Sequence, residues 1–357
     1  MYLINHECGN FRCLEHIAFA PTPGINVIRG TNAQGKTSVL ESVLYLCTSK
    51  SHRTNTESEL VAHGEEDFHI KTAAQRRDRT VELEAHWWKG SKRLKVNGVA
   101  QTRVSDILGR INVVFFCPED VELIKGGAAQ RRRFIDMELS QVDNAYLQAL
   151  QQFRQLLKQR NELLKARQPD EDLLAVWDEQ LALHGNTITR TRAAFLEELS
   201  PHAEEAHRAI SDGEKLNLLY KPDIKLDEDY ADVLARCRRN DLYRQQTTRG
   251  PHRDDLEVRV AEKPARTYAS QGQQKTAALA LKMAELALLC NRTGEYPILM
   301  LDEVLAELDP LRARQLFQAI PDAVQCLVTT TQLEARQDPF GRECTNFRIE
   351  EGRLAQG

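Results

Sequence analysis

Three short stretches of this 357-residue chain assemble residue types suited to phosphate chemistry. The first is G-T-N-A-Q-G-K-T, Gly30 to Thr37. Its two glycines permit backbone angles closed to other residues, so successive N–H groups can turn inward on the phosphates of a nucleoside triphosphate. Lys36 can then reach the β- and γ-phosphates, and the Thr37 hydroxyl can hold Mg²⁺. Gly30, Thr31, Asn32, Ala33, Gln34, Gly35, Lys36, Thr37 and Ser38 are therefore the candidate nucleotide ligands. The second stretch, I-L-M-L-D-E from Ile298 to Glu303, is a four-residue apolar run ending in two carboxylates. Asp302 stands where a metal needs an acid, and Glu303 is free to act as base or positioner for an attacking water. In isolation such a pair more often just opens a loop; the glycine loop upstream reverses that preference.

The third stretch, S-Q-G-Q-Q-K from Ser270 to Lys275, opens a helix expected over about Gln273 to Cys290. Ser270 and Gly272 offer a hydroxyl and free backbone N–H groups, a second anion site in one chain. Taken alone, Ser270 is an ordinary N-cap. Taken with the first stretch, it suggests a two-fold pairing in which one subunit's loop holds a nucleotide capped at its γ-phosphate by the other's Ser270. On this reading the cofactors are ATP and Mg²⁺, the catalytic groups are Lys36, Glu303 and Ser270, and the metal ligands are Thr37 and Asp302.

The flanking patterns supply the elements that must position these groups. Gly24 to Ile28 alternates like a strand, and apolar residues at 39, 40, 43, 44, 46 and 47 mark a helix face after the loop. Phe68 to Thr72, Thr80 to Trp88 and Arg93 to Val96 look like β-ribbon, with Asn97-Gly98 as a hairpin turn. From about Arg131 to Asn240 the pattern is helical, with Gln168-Pro169-Asp170 as a turn, and it predicts short antiparallel helices without a long coiled coil. Strand and helix alternate again after Gly250, with strands at Gln325 to Thr330 and Asn346 to Ile349. The expected division is a split nucleotide-binding head, 1–125 and 250–357, around a helical lobe at 126–249.

Composition bounds the class. Charged residues make up 28% and aromatics 6%, which argues for a helix-rich soluble protein. The N-terminal residues lack a basic region followed by an apolar core, and Lys282 and Glu285 interrupt the most apolar helix, so no signal peptide, spanning helix or membrane partner is expected. Eight cysteines without any C-x-x-C read as reduced thiols of a cytoplasmic protein.

Further segments carry a family resemblance over nearly the whole chain. They are N-F-R at Asn10 to Arg12, P-E-D-V-E-L-I-K-G-G-A-A-Q-R-R-R-F-I-D at Pro118 to Asp136, G-P-H-R-D-D-L at Gly250 to Leu256, and L-M-L-D-E-V-L-A-E-L-D-P-L-R-A-R-Q-L at Leu299 to Leu316. With the three phosphate motifs, they resemble the RecF family of bacterial recombination proteins, relatives of ABC-type and SMC-type ATPase heads without long coiled-coil arms. The resemblance implies an α/β fold: an ABC-type head with a P-loop mixed sheet and a β-rich subdomain, plus an inserted helical lobe. It places Arg12 by the nucleotide and Asp309 in a loop facing a second subunit. It also implies a weak, DNA-stimulated ATPase acting as a switch, whose ATP-dependent homodimer clamps single-strand/double-strand DNA junctions at gaps and works with RecR and RecO to load RecA.

The chain departs from these patterns at Ala128, Ala269 and Gln271, where the relatives usually carry Pro, Leu and Gly. No glutamine matches the ABC Q-loop; Thr329, Thr330 and Thr331 stand where a switch histidine is usual and take the γ-phosphate-sensing role, while Glu119 or Asp120 lies near the metal. A transporter ATPase subunit is disfavoured by the missing histidine and by the RecF-like segments, and a nuclease with an ATPase head by the lack of room for an acidic metal-binding domain. The formal net charge of −4 does not itself point to nucleic acid. Local basic clusters at 76–79, 89–95, 131–133 and 236–239 are candidates to track a phosphate backbone, with Arg131, Arg132 and Arg133 first among them.

Overall fold

The structure is a computed structural model and describes residues 1–77, 79–211, 213–331 and 339–356. The chain forms two compact units: Met1–Val121 with His202–Lys215 and Gln271–Gly357, and Glu122–Pro201 with Leu216–Ser270. Residues 250–270 therefore group with the helical unit and not with the head, because the strand Asp255–Val260 pairs with Leu216–Lys221, which lies inside the stretch read as helical.

In the first unit a six-stranded sheet runs in the order Arg353–Gln356, Cys344–Glu350, Ile25–Arg29, Cys326–Thr330, Ile298–Leu301, Val113–Phe116. Every pairing is parallel except that of the edge hairpin. The last three strands are buried at every residue, which is why Ile298–Leu301 and Val113–Phe116 read as unbroken apolar runs. Register aligns their carboxyl ends. Ile28 lies opposite Thr329, while Leu301 faces Val328 on one side and Phe116 on the other, so the residues just beyond these positions form one rim.

A second, antiparallel sheet runs Leu14–Phe19, Tyr2–Phe11, Asp67–Arg76, Arg79–Trp88, Ser91–Val96, Val99–Gln101. In Arg79–Trp88 burial alternates residue by residue, as expected of a sheet covered on one face. The helix Lys36–Thr48 touches strands of both sheets and is buried at every position but Thr37. That explains its apolar residues on all sides. His6, fully buried, joins helix to sheet: its Nδ1 is 2.6 Å from Thr72 Oγ1 and its Nε2 is 2.8 Å from Ser42 Oγ. Burial pushes its pKa down to about 3, so the ring is neutral and supplies one donor and one acceptor to the two hydroxyls.

The second unit holds Ala128–Val142, Asn144–Leu164, Tyr230–Arg244, most of Glu171–Ile210 and a three-stranded sheet. Glu171–Ile210 is a single 40-residue helix, not the short helix expected, and Pro201 lies inside it. At its core Arg160 is fully buried, donating from Nε to Asp178 at 2.7 Å and from Nη1 to Asp241 and Thr247, each at 2.8 Å. A buried cation persists only when carboxylates compensate its lost hydration, and here two do. Among the described residues no helix is long and apolar enough to cross a membrane.

Candidate nucleotide site

The loop between Ile25–Arg29 and Lys36–Thr48 owes its shape to particular residues. Gly35 has φ 105° and Ala33 φ 65°, turns that swing the chain into the helix. Gly30 is needed for a different reason from the one expected: its φ is ordinary, but a Cβ there would come within 2.6 Å of the Ile349 carbonyl oxygen. Behind the loop, Gln34 Oε1 accepts the Glu351 N–H at 2.5 Å and the Gln34 carbonyl accepts that of Gly352 at 3.3 Å, so the edge hairpin braces it.

Lys36 is almost fully buried, and its three N–H donors have three acceptors: the Gly30 and Thr31 carbonyls and Glu303 Oε1, each at 2.9 Å. Thr37 donates its hydroxyl to Asp302 Oδ1 at 3.1 Å. Thr329, at the rim of the intervening strand, donates to the same oxygen at 2.6 Å and accepts the Glu303 N–H at 2.9 Å. Thr331 N–H completes the set on Glu303 Oε2 at 3.2 Å. The threonines at 329 and 331 therefore hold the two carboxylates. Glu303 has φ 49°, a left-handed conformation unusual for a non-glycine residue and typical of functional turns. Burial raises the Asp302 pKa against the lowering effect of its two hydroxyl donors.

A cleft of about 690 Å³ opens beside these groups. Asn32, Ala33, Gly35, Lys36, Thr37 and Ser38 line it, with Arg12 and Glu303. Gly30, Thr31 and Gln34 instead border a separate groove against the strand Cys344–Glu350. Arg12 is clamped by the buried Glu41, donating from Nη2 at 2.8 Å and from Nε at 3.1 Å, and Arg53 approaches the same carboxylate at 3.8 Å. Arg53 also lines the cleft, and sequence reasoning passed over both it and Glu41. The available signal was Glu41 itself, an isolated carboxylate amid the apolar residues Val39, Leu40, Val43 and Leu44, which burial obliges to find a cation.

On the neighbouring strand end, Glu119 is exposed and its charge acts on Asp302 and His52, whereas Asp120 turns inward to accept the Cys117 N–H at 2.9 Å. Gly272 and Asp309 are absent from the cleft lining. The helix at the third stretch starts at Gln271, directly after an exposed Ser270, and Asp309 caps Pro310–Ala319 by accepting the Arg312 N–H at 3.0 Å.

Most of the basic clusters are consumed internally. Lys89, Lys92 and Lys95 pair with Glu66, Glu57 and Glu84, Arg76 with Glu295, and Arg238 with Asp178. Arg131 is buried and bidentate on Asp255, which makes it a brace and not a DNA contact.

A family description, RecF/RecN/SMC N terminal domain, matches residues 2–339. The DNA replication and repair protein RecF of Symbiobacterium thermophilum is 43% identical over 346 residues, covering 94% of this chain and 92% of that protein. The one from Bacillus mycoides is 40% identical, covering 99% and 98%. This chain belongs to the RecF family. A solved structure of the recombination mediator protein RecF with ATP, in the RecFOR pathway, superposes with TM-score 0.91 at 34% identity, covering 100% of this chain and 97% of that one. An Smc head bound to the C-winged helix domain of ScpA superposes with TM-score 0.60 at 16% identity, a likeness of fold alone.

Proposed function

We propose that this chain is an ATP-switched, DNA-binding protein of recombinational repair. The observation that carries this reading is the convergence of Lys36, Thr37, Asp302 and Glu303 on one sheet rim, tied together by Thr329. A triphosphate entering the cleft competes with Glu303 for the third N–H of Lys36, so binding releases the carboxylate for a new partner. Thr37 Oγ1 and Asp302 Oδ1 are two hard oxygens 3.1 Å apart, a donor set that suits Mg²⁺ shared with phosphate oxygens. When bound, Mg²⁺ neutralises charge on the phosphates. Glu303 positions the attacking water and takes its proton. With nucleotide bound, Glu303 Oε2 stays held by the Thr331 N–H; hydrolysis is slow and the protein acts as a switch, stimulated weakly by DNA.

Ser270 and Gly272 cap the nucleotide of a second copy, and Asp309 lies in a loop that faces that copy. The resulting ATP-dependent dimer binds single- and double-stranded DNA at gapped junctions in the cytoplasm and acts with RecR and RecO in loading RecA. Support for the pathway comes from relatives named DNA replication and repair protein RecF and from the RecF–ATP structures of the RecFOR pathway. Gel-shift binding to gapped DNA with and without Mg²⁺ATP tests this reading. The expected result is binding that depends on ATP; equal affinity in both conditions contradicts it.

A further inference from the structure

Parts of two segments singled out in the sequence, Ala128 to Asp136 and Gly250 to Leu256, lie outside the nucleotide cleft. Within the helical unit they meet. Arg131 clamps Asp255, and Arg132 Nη1 donates to the Asp254 carbonyl at 2.7 Å. Arg192, from the 40-residue helix, ties both segments together. It donates to the Pro251 carbonyl, to Asp254 Oδ2 and to Asp136 Oδ1, each at 2.7 Å.

A cleft of about 240 Å³ opens beside this network, lined by both charged and apolar side chains. Arg132, Arg133, Arg154 and Arg192 line it, with Asp136 as the one carboxylate among the described lining residues. Arg154 is 56% exposed and reaches Asp136 at 2.8 Å. His252 adds no charge at neutral pH, because burial lowers its pKa to about 4. Leu150, Phe153, Leu157 and Ile188 also line it; of these Leu157 is half-buried and the other three are buried.

We propose that this cleft docks an acidic, apolar peptide segment of a protein partner, with an apolar side chain against Leu150 and Leu157 and flanking carboxylates on Arg132, Arg133 and Arg154. Planar guanidinium forks match carboxylates bidentately, and arginine beside apolar surface is characteristic of protein interfaces. The Asp136 carboxylate, gripped by Arg154 and Arg192, shows the same chemistry within the chain. A nucleic-acid backbone fits less well. It needs cations spread along a track, whereas these converge on one small concavity that apolar groups also line. The volume is below the roughly 300–1,000 Å³ of sites that engulf drug-sized ligands, so it admits one side chain and not a whole nucleotide.

The test is an array of capped heptapeptides permuting Asp, Glu, Leu and Phe, probed with the full chain, with the best binder then titrated by fluorescence anisotropy. Arg133→Gln and Arg154→Gln should each weaken that peptide on the order of tenfold, and its Asn/Gln counterpart should not bind. ATP and oligo-dT affinities, which also report that the variants fold, should not change. The proposal is overturned if no acidic peptide on the array binds, if both variants bind the peptide as the unaltered protein does, or if oligo-dT binding falls in parallel.

Discussion

The chain contains two helix starts suited to an anion, and they are built differently. The helix Lys36–Thr48 begins behind a left-handed Gly35, is buried almost all round, and has Asp302, Glu303 and Thr329 within hydrogen-bond reach of its first residues or of one another. The helix Gln271–Thr293 begins at an exposed Gln271 after an exposed Ser270. Its first-turn side chains are occupied elsewhere: Gln273 donates to Glu214 at 2.6 Å, and Lys275 pairs with Glu307. N–H groups at a helix terminus attract phosphate in both places, but only the first, among the described residues, has Lys36, Thr37, Asp302 and Glu303 bonded together around it. Beside the second, the carboxylates of Glu214 and Glu307 are taken by Gln273 and Lys275. A half-site of this kind has a use if it closes over a nucleotide that another copy already holds.

Substitutions at the two starts should therefore separate chemistry, binding and assembly. The largest effect is expected from Glu303→Gln, which keeps ATP affinity while lowering single-turnover hydrolysis by about 10²–10⁴-fold, the usual contribution of a positioned base; turnover at the unaltered rate removes Glu303 from that role. Lys36→Ala takes a charge-assisted donor from the phosphates and should weaken ATP by roughly 100-fold, abolishing ATP-dependent DNA binding with it. Calorimetric titration with Mg²⁺ATP reads this directly. At the second start, Ser270→Arg should leave ATP affinity of the single subunit within about threefold while preventing ATP-driven dimerisation, as read by light scattering.

These two starts also show how far local pattern reaches. The nucleotide loop, its flanking strand and helix, and the acidic strand end are legible in the sequence because each is local, with residue type, spacing and periodicity lying within a dozen positions. Elements fixed by distant pairing are not. Leu216–Lys221 looks helical in sequence because its strand character comes from Asp255–Val260, far along the chain. The basic cluster at 131–133 suggests an outward face, yet Arg131 is committed to Asp255, a partner more than a hundred residues away. The loop is recognisable as a phosphate cradle, but the reason for Gly30 is contact with Ile349, which no local pattern reveals.

The smallest effect at neutral pH concerns how firmly the first helix is anchored. His6 bonds Ser42 on that helix, and its folded pKa of about 3 lies below the unfolded value of about 6.5. The unfolded chain takes up the proton first, so this contribution is fully present above about pH 6.5 and is lost by about 1.4 kcal/mol per unit as pH falls toward 3. His6→Gln should flatten the acid side of the stability profile by up to one proton's slope and change little at pH 7.5. An unchanged acid limb in urea melts would show that His6 does not titrate in this way.

The central claim is that one start holds the nucleotide and the other start, from a second copy, completes the site. Mixing Lys36→Ala protein with Ser270→Arg protein tests it most directly. Each alone should be inactive, but a mixed pair rebuilds one site from the intact loop of one chain and the intact serine of the other. The account predicts that the mixture recovers ATP-driven dimers and about half the per-dimer ATPase rate of the unaltered protein. A mixture no more active than its two components would place the loop and the serine in the same subunit's site and contradict the account.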